Sequence, residues 1–555
     1  MVYARLCPPY DSGMHEVLNQ SPPYVDVDFY GSDRPLRDAV AVNGGGREAA
    51  ALAEFGRRWG TAQMFELARA ANENPPKLRT FDPRGFRLDT VEFHPAYHQL
   101  MTESIGAGLH ASTWTTALRP ASAPAHVVRA ARFYMTAQVE TGHLCPVTMT
   151  HAAVAALTAE ADVAQKLAPK ILSRDYDARF LPWLEKKGIT LGMGMTEKQG
   201  GTDVRTNTSR AERRGDGYGI TGHKWFMSAP MCDAFLVLAQ AQGGLTCFLM
   251  PRFRPDGTIN GLHFQRLKDK LGNRSNASSE VEFLDAFVWR VGEEGRGVRT
   301  IINMVQLTRF DCAIASAALV RMALAQAIHH TRHRTVFQKH LADHPLMRRV
   351  LADMSLASEG MAALIMRLAR SFDLAPDDPR EAARTRLLTP AVKYWVCKSA
   401  PALVYEAMEC LGGNGYVEES VLPRLYREAP VNAIWEGSGN VMCLDVLRAI
   451  ATERGAASSV LDDIAQEAAE LPGASEAVSF IRTAIASTDA ESMARAAVGR
   501  LALLAAAAAL CESAPMVAQL FARTWLLGRH DALLGTSDVA AKDAELLTDR
   551  ALPAG

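Results

Sequence analysis

Residues 435–440 read Trp-Glu-Gly-Ser-Gly-Asn and put one carboxylate directly behind an aromatic side chain in a glycine-rich backbone. A carboxylate beside apolar bulk is poorly solvated, so its pKa rises and it can act as a base toward a weakly acidic carbon. The glycines let the backbone pass close to a bound planar ligand. Glu436 is therefore a candidate catalytic residue, although a loop glutamate between two helices would carry the same letters.

Other stretches could bind a nucleotide. Residues 195–204, Met-Thr-Glu-Lys-Gln-Gly-Gly-Thr-Asp-Val, offer hydroxyls at Thr196 and Thr202 and N–H groups at Gly200 and Gly201, which suit a heterocycle edge and phosphate oxygens. A tight Gly-Gly hairpin is the plain alternative. Residues 223–229, His-Lys-Trp-Phe-Met-Ser-Ala, place the Trp225 plane and the Ser228 hydroxyl in one β segment. Residues 334–338, Arg-Thr-Val-Phe-Gln, set a cation three residues from an aromatic on one helix face, a pairing able to hold pyrophosphate and stack adenine. Residues 409–416 end a helix in a glycine-rich turn that lacks the strand-turn-helix context of a Rossmann site. Residues 268–275 read, alone, as a basic solvated loop. His329, His330, His333, His340 and His344 crowd together, but they lack a zincin glutamate and sit beside Arg332 and Arg334, so no metal is expected.

The elements that must position these residues follow a helix, β, helix order. Residues 1–74 look irregular, with proline and glycine clusters at 21–23 and 44–46. Apolar spacing of three and four at 127–139 and 151–172 makes the first unit all-helical. Short β-branched or aromatic runs at 189–195, 219–227, 234–240, 245–251 and 281–291 form a compact β unit. Helical period returns at Val298 and persists through 308–333, 345–373 and 391–411. The expected division is 1–188, 189–294, 295–448 and 449–555.

At 555 residues the chain exceeds what one hydrophobic core supports. Its 48% hydrophobic and 22% charged residues are those of an ordinary globular protein, and a net charge of −1 gives no overall pull toward nucleic acid or anionic lipid. Nine cysteines, from Cys7 to Cys511, show no paired spacing and read as buried thiols of a reducing cytoplasm. The apolar run 501–511 is about half a bilayer span, and Pro8 and Pro9 interrupt any secretory core, so cytosolic residence without a membrane is expected. Residues 449–555 carry eight Lys+Arg against fourteen Asp+Glu, a net of −6.

Taken in order, the strings at 192–201, 269–278, 308–312 and 434–440 resemble the acyl-CoA dehydrogenase flavoprotein family, in particular its AidB-type branch, linked to the adaptive response to DNA alkylation. The resemblance implies an α+β fold with an N-terminal helical domain, a central β-barrel, a C-terminal four-helix bundle and an extra C-terminal helical domain. It implies FAD between helices and barrel in a homotetramer. Met195, Thr196, Gly201 and Thr202 would contact the flavin and its phosphates, and Trp225, Met227 and Ser228 would line its face. Arg334, Phe337, Glu409, Gly412 and Gly413 would reach the adenine half across a subunit boundary, and Trp435, Gly437, Ser438 and Asn440 would close the site beside Glu436.

In that family a carboxylate at the position of Glu436 removes the α-proton of an acyl thioester while the β-hydride passes to the flavin. One subgroup places its base on the helix near 307–309, where this chain has Thr308, so Glu436 is the sole candidate. Gln338 stands where the family commonly has glycine, and Thr202 replaces a serine. The resemblance also implies double-stranded DNA contact through Arg448 and Arg529, which the acidic tail allows only if cations gather on one face. A short or branched acyl-CoA is the alternative ligand.

Overall fold

The computed structural model describes residues 16–115 and 124–553; Cys7, Pro8 and Pro9 lie outside the described residues. Residues 16–33 are irregular as expected, but from Arg34 the stretch before Asn74 is helical, with α1 (Arg34–Val42), α2 (Ala49–Trp59) and α3 (Ala62–Glu73). Asp33 caps α1 by accepting the Leu36 N–H at 3.0 Å, and Pro35 sits in the first turn. The first unit is not all-helical either. β1 (Lys77–Phe81) and β2 (Arg87–Glu92) form an antiparallel hairpin whose largely exposed residues hide the alternation. After α4 (Pro95–Gly106) and α5 (Ala125–Ala137), the helix expected over 151–172 is split into α6 (Leu144–Leu157) and α7 (Ala161–Ile171), because Glu160 adopts an extended backbone between them.

The barrel is built from β3 (Leu191–Gly194), β4 (Arg210–Arg214), β5 (Gly217–Ser228), β6 (Ala234–Ala241), β7 (Gly244–Pro251), β8 (Leu262–Leu267) and β9 (Ser278–Val291). Its strand order is β3-β6-β4-β5-β9-β7; β7 pairs back to β6 and closes the ring, and β8 adds to β9. Ile220, Met227, Phe235, Phe248, Phe264 and Val281 fill the inside. The sequence pattern does not reveal β4, where charged residues dominate and only Ala211 is buried, or β8, where the buried Leu262 and Phe264 give too short an alternation.

A 37-residue helix, α8 (Gly297–His333), leads into a two-residue hairpin, β10 (Thr335–Val336) and β11 (Lys339–His340). The bundle continues through α9 (Pro345–Leu374) and α10 (Pro379–Cys410), then short α11 (Gly413–Tyr416) and α12 (Leu422–Glu428), to α13 (Gly439–Thr452). The tail contributes α14 (Arg454–Glu467), α15 (Ala474–Ala486), α16 (Ala490–Ser513), α17 (Pro515–Phe521) and α18 (Ala541–Ala551). It shares one apolar core with the bundle: the Phe521 ring lies so close to Gly360 that a Cβ there would collide with it. Ion pairs Arg370–Glu512 (2.8 Å) and Arg384–Glu467 (2.6 Å) span the same junction. α8 and α16 are long and apolar enough to cross a membrane, and most of each is packed inside the fold.

Two buried polar seams hold the units together. Arg129 of α5 makes a two-pronged ion pair with Asp311 of α8, both contacts 2.7 Å, and also donates to the Leu109 carbonyl at 2.6 Å. Glu140 accepts from the Gly142 N–H (2.9 Å), the His143 N–H (2.8 Å), Asn72 Nδ2 (3.0 Å) and Ser275 Oγ (2.8 Å), and pairs with His143 Nδ1 at 2.7 Å. Asn273 Nδ2 donates to Glu428 at 2.8 Å. The 268–275 loop is thus clasped between barrel and helices at Asn273 and Ser275, which are buried, while Asp269, Leu271 and Arg274 stay exposed.

Burial alone would raise the Glu140 carboxyl, but its bonds to His143 and Asn72 outweigh that and hold it at about 2. The folded value lies below the unfolded one of about 4.3, so this stabilisation is complete above about pH 4.3 and is lost as pH falls toward 2. Urea unfolding across pH 2 to 7 is expected to show that acid limb, and Glu140→Gln should make it shallower as well as lowering stability at pH 7.

Candidate active site

Glu436 sits in the loop leading into α13 with a left-handed backbone, φ 58°, followed by Gly437 at φ 101°. That strained turn is pinned from three sides. Arg309 Nε donates to the Glu436 carbonyl at 3.0 Å, Lys393 Nζ donates to the carbonyls of Asn432 (2.8 Å) and Gly437 (2.9 Å), and Trp435 Nε1 donates to Asn432 Oδ1 at 2.9 Å. The Glu436 side chain is half-buried, and its Oε2 lies 2.8 Å from Thr308 Oγ1. Thr308 is also 3.0 Å from the Val305 carbonyl. Its single hydroxyl proton can point at an ionised Glu436; once Glu436 is protonated, the proton can turn to Val305 while the oxygen accepts from the acid. Thr308, excluded as a base, is therefore the residue that touches Glu436.

The facing wall comes from the barrel. Trp225 N–H donates to the Thr196 carbonyl at 2.8 Å, and Glu197 anchors the loop by its ion pair to Lys224 (2.8 Å) and the Thr208 N–H (2.7 Å). Burial opposes the Glu197 charge, but Lys224 and those bonds hold its carboxyl at about 2. Gly201 packs so tightly on Thr196 that a Cβ would strike the hydroxyl. Met195 is half-buried, while Thr202 is exposed. The Met227 side chain, expected at the ligand face, is buried in the barrel core, so only its backbone is available there. Strand alternation turns Phe226, 49% exposed, outward with half-buried Ser228. Phe226 escaped the sequence reading because its neighbour Trp225 is the larger platform; Trp225 instead lies under Lys268 Nζ, 3.3 Å from its ring centre, with Arg266 and Lys198 each at 5.8 Å.

Cys145 and Lys270, which no short motif marks, lie between these walls. Burial pushes the Cys145 thiol up to about 12, a hydrogen bond to Ser228 and the charge of Lys270 oppose this, and the Glu436 charge adds to it. Burial lowers the Lys270 ammonium to about 8, where it donates to the Asn276 carbonyl at 2.5 Å. Cys145 thus lies close to both the Glu436 loop and the barrel wall. Ser438 and Asn440 are exposed at the start of α13.

The remaining candidates lie elsewhere. Arg334 and Phe337 do not share a helix face, because α8 ends at His333. Phe337 (φ 49°) and Gln338 (φ 67°) instead form the tip of the β10–β11 hairpin, both in the left-handed region that glycine tolerates best. Arg334 Nη1 donates to the Asn19 carbonyl at 2.6 Å, and Asn414, in the exposed Gly412–Gly413 turn, reaches Gln20 at 3.5 Å. The N-terminal segment thereby bridges the hairpin and the turn that follows Glu409. Thr308 and Arg334 are 26 residues apart along α8, about 39 Å at 1.5 Å per residue, so one chain does not bring Arg334 and Glu436 together.

Arg448 is 66% exposed and lies 3.2 Å from Asp445, which also takes Arg309 (2.6 Å) and Arg386 (3.1 Å). Arg529 is exposed beyond α17. The histidine crowd is engaged by protein atoms: His329 contacts the Pro22 carbonyl at 2.7 Å and His330 contacts Ser21 at 3.0 Å. Among the described residues no group of three metal-ligating side chains converges.

Three family models match the chain: the adaptive response protein AidB N-terminal domain over residues 19–178, the acyl-CoA dehydrogenase middle domain over 192–286, and the acyl-CoA dehydrogenase C-terminal domain over 295–451. The AidB protein of Escherichia coli (strain K12) is 52% identical over 443 residues, 80% of this chain and 81% of that one. The chain belongs to the AidB branch of the acyl-CoA dehydrogenase family. Acyl-CoA dehydrogenase family member 11 of Caenorhabditis elegans is 33% identical over 75% of this chain and 69% of its own. The structure of C. elegans ACDH-11 in complex with C11-CoA superposes with a TM-score of 0.82 at 27% identity, covering 98% of this chain and 97% of that one.

Family membership makes this an FAD-dependent oxidoreductase. The residues around Glu436 fit that cofactor: the buried Asn432 amide has an unpartnered Nδ2 beside Trp435, and a Cβ at Gly200 would meet only open space, leaving backbone accessible at the barrel loop.

Proposed function

We propose that the protein oxidises an acyl-CoA thioester, with Glu436 as the base that takes the α-proton. The observation that carries this is the Glu436 carboxylate held by Thr308 within electrostatic reach of Cys145, which in turn bonds Ser228 of the barrel wall. FAD, when bound, supplies the hydride acceptor. The chain's own residues do the rest: Phe226 and Ser228 flank the flat cofactor, Thr196 and Thr202 offer hydroxyls to it, and Thr308 steadies Glu436 in both protonation states. Lys198, Arg266 and Lys268, balanced mainly by Glu280, give the rim a positive face suited to CoA phosphates. Anaerobic addition of acyl-CoA thioesters should bleach the flavin absorbance; no bleaching with any chain length would end this reading.

Arg334, Phe337, Glu409 and the Gly412–Gly413 turn then serve the adenine half of a cofactor bound mainly to a neighbouring subunit, in a homotetramer. The 90% exposed Phe337 and exposed Tyr416 support this. Phe337→Ser is expected to lower the mass seen by light scattering and to weaken FAD retention at least about tenfold; an unchanged tetramer with full flavin would refute it. The eight described cysteines are all unpaired, as suits a cytosolic protein.

A second reading, double-stranded DNA contact in a response to alkylation damage, is favoured by one observation: Asp445 answers three arginines and leaves Arg448 largely in solvent. Arg448→Ala and Arg529→Ala should each weaken duplex binding with FAD retained and reduce the salt slope by about one. Absence of duplex affinity in low-salt fluorescence anisotropy excludes it.

A further inference from the structure

Beside the wall that carries Phe226 and Ser228 lies a cation that the proton transfer at Glu436 does not use. Lys268 and Lys270 share the loop after β8 but are placed differently. Lys268 pairs with Glu280 at 2.6 Å, so its charge is answered on contact. Lys270 instead donates to two neutral oxygens, the Asn276 carbonyl at 2.5 Å and the Ser278 hydroxyl at 3.4 Å. Glu140, Glu428 and the Cys145 thiol act on it through space, and their attraction does not offset burial, which holds the ammonium at about 8. A buried ammonium without a contacting carboxylate is costly.

A series of hydroxyls leads from this ammonium to the site. Ser278 of β9 and Ser228 of β5 are cross-strand partners, and their side-chain oxygens are 3.1 Å apart. Ser228 in turn bonds Cys145, which lies within reach of the Glu436 charge. An ammonium has donors and no acceptor, so Ser278 Oγ accepts from Lys270 and its own single proton is left for Ser228. The Ser228 proton then points out of the series, toward Cys145 and the face that flanks the cofactor. Without Lys270, Ser278 is free to accept from Ser228 and that order is lost. Hydrogen bonds in series polarise one another, so the outermost hydroxyl is a stronger donor than an isolated serine.

We propose that Lys270 is a positioning residue of the flavin site: through Ser278 it orients the Ser228 hydroxyl as a donor toward the cofactor and supplies a positive charge that stabilises the reduced flavin. A hydride brings one negative charge with it, and a fixed cation at the end of this series offsets that charge. Lys270 takes no proton from the substrate; it acts through the two serines. The proposal rests on the placement of the cofactor against Phe226 and Ser228 given above.

Anaerobic redox titration of the full FAD-loaded chain against a reference dye, with no thioester present, tests this. Lys270→Met should lower the ratio of reduced to oxidised flavin at a given potential at least about tenfold, a shift of about 30 mV to more negative values for a two-electron couple. Ser278→Ala, which keeps the charge and breaks the series, should shift it the same way about two- to tenfold. Lys270→Arg, which keeps a donor cation, should stay within about threefold of the parent. A merely structural lysine would change FAD retention or thermal stability and leave the potential of the bound flavin in place. Lys270→Met with the parent potential overturns the proposal; if that variant does not fold, Ser278→Ala with the parent potential does so. Ser228→Ala separates the two readings. A shift there with none in Lys270→Met removes Lys270 alone, and no shift in either removes the flavin from the Ser228 face. Absence of bleaching by acyl-CoA thioesters, which ends the oxidation reading, leaves these potentials untouched.

Discussion

Glu436→Gln should leave FAD bound and the fold intact while cutting substrate-driven flavin bleaching by about 10²- to 10⁴-fold, the range for removal of a positioned general base. The substitution is near-isosteric. A glutamine oxygen can still accept from Thr308, the backbone bonds from Arg309 and Lys393 do not involve the side chain, and only the capacity to take a proton is lost. Thr308→Val gives the complementary result. Glu436 keeps its position through the pinned backbone but loses the hydroxyl that orients its carboxylate, so the bleaching rate should fall by less than with Glu436→Gln. Stopped-flow bleaching checks both. A Glu436→Gln protein that bleaches at the parent rate would remove Glu436 from the chemistry.

Asp311→Ala is expected to cost about 3 to 5 kcal/mol of stability, because it leaves the Arg129 guanidinium buried and uncompensated between α5 and α8. Arg129 and Asp311 are each almost wholly inaccessible, and Thr148 Oγ1 adds a 2.8 Å bond to the same carboxylate. Replacing both partners, Arg129→Met with Asp311→Leu, should recover most of the loss, since no unpaired charge then remains. Urea midpoints for the single and double variants, with FAD content recorded alongside, decide it. Equal destabilisation of the two would mean that packing volume, not charge burial, sets the strength of this seam.

The hydrophobic period is enough to read the long bundle helices and five of the seven barrel strands, because their buried faces recur every 3.6 or 2 residues. The first 74 residues are different: glycine and proline clusters there suggest irregular chain and mask short amphipathic helices such as α1, whose Asp33 cap is the local signal of a helix start. The β1–β2 hairpin and β4 are invisible for another reason: largely exposed strands hold their place by backbone pairing and carry little hydrophobic alternation, while β8 offers only the short Leu262 and Phe264 alternation before polar residues.

The sequence by itself determined which side chain could be a base, which loops could approach a nucleotide and which family they belong to, since those depend on residue type and close spacing. Only the tertiary structure decided that Thr308 meets Glu436 from 128 residues away. It also decided that Phe226 rather than Met227 faces outward, that Lys270 and Ser275 belong to a buried clasp, and that Arg334 stands a helix length from Glu436. The physical reason is common to all four. Orientation and long-range proximity are set by how strands pair, where a helix ends and which polar groups must be satisfied on burial, none of which short-range spacing encodes.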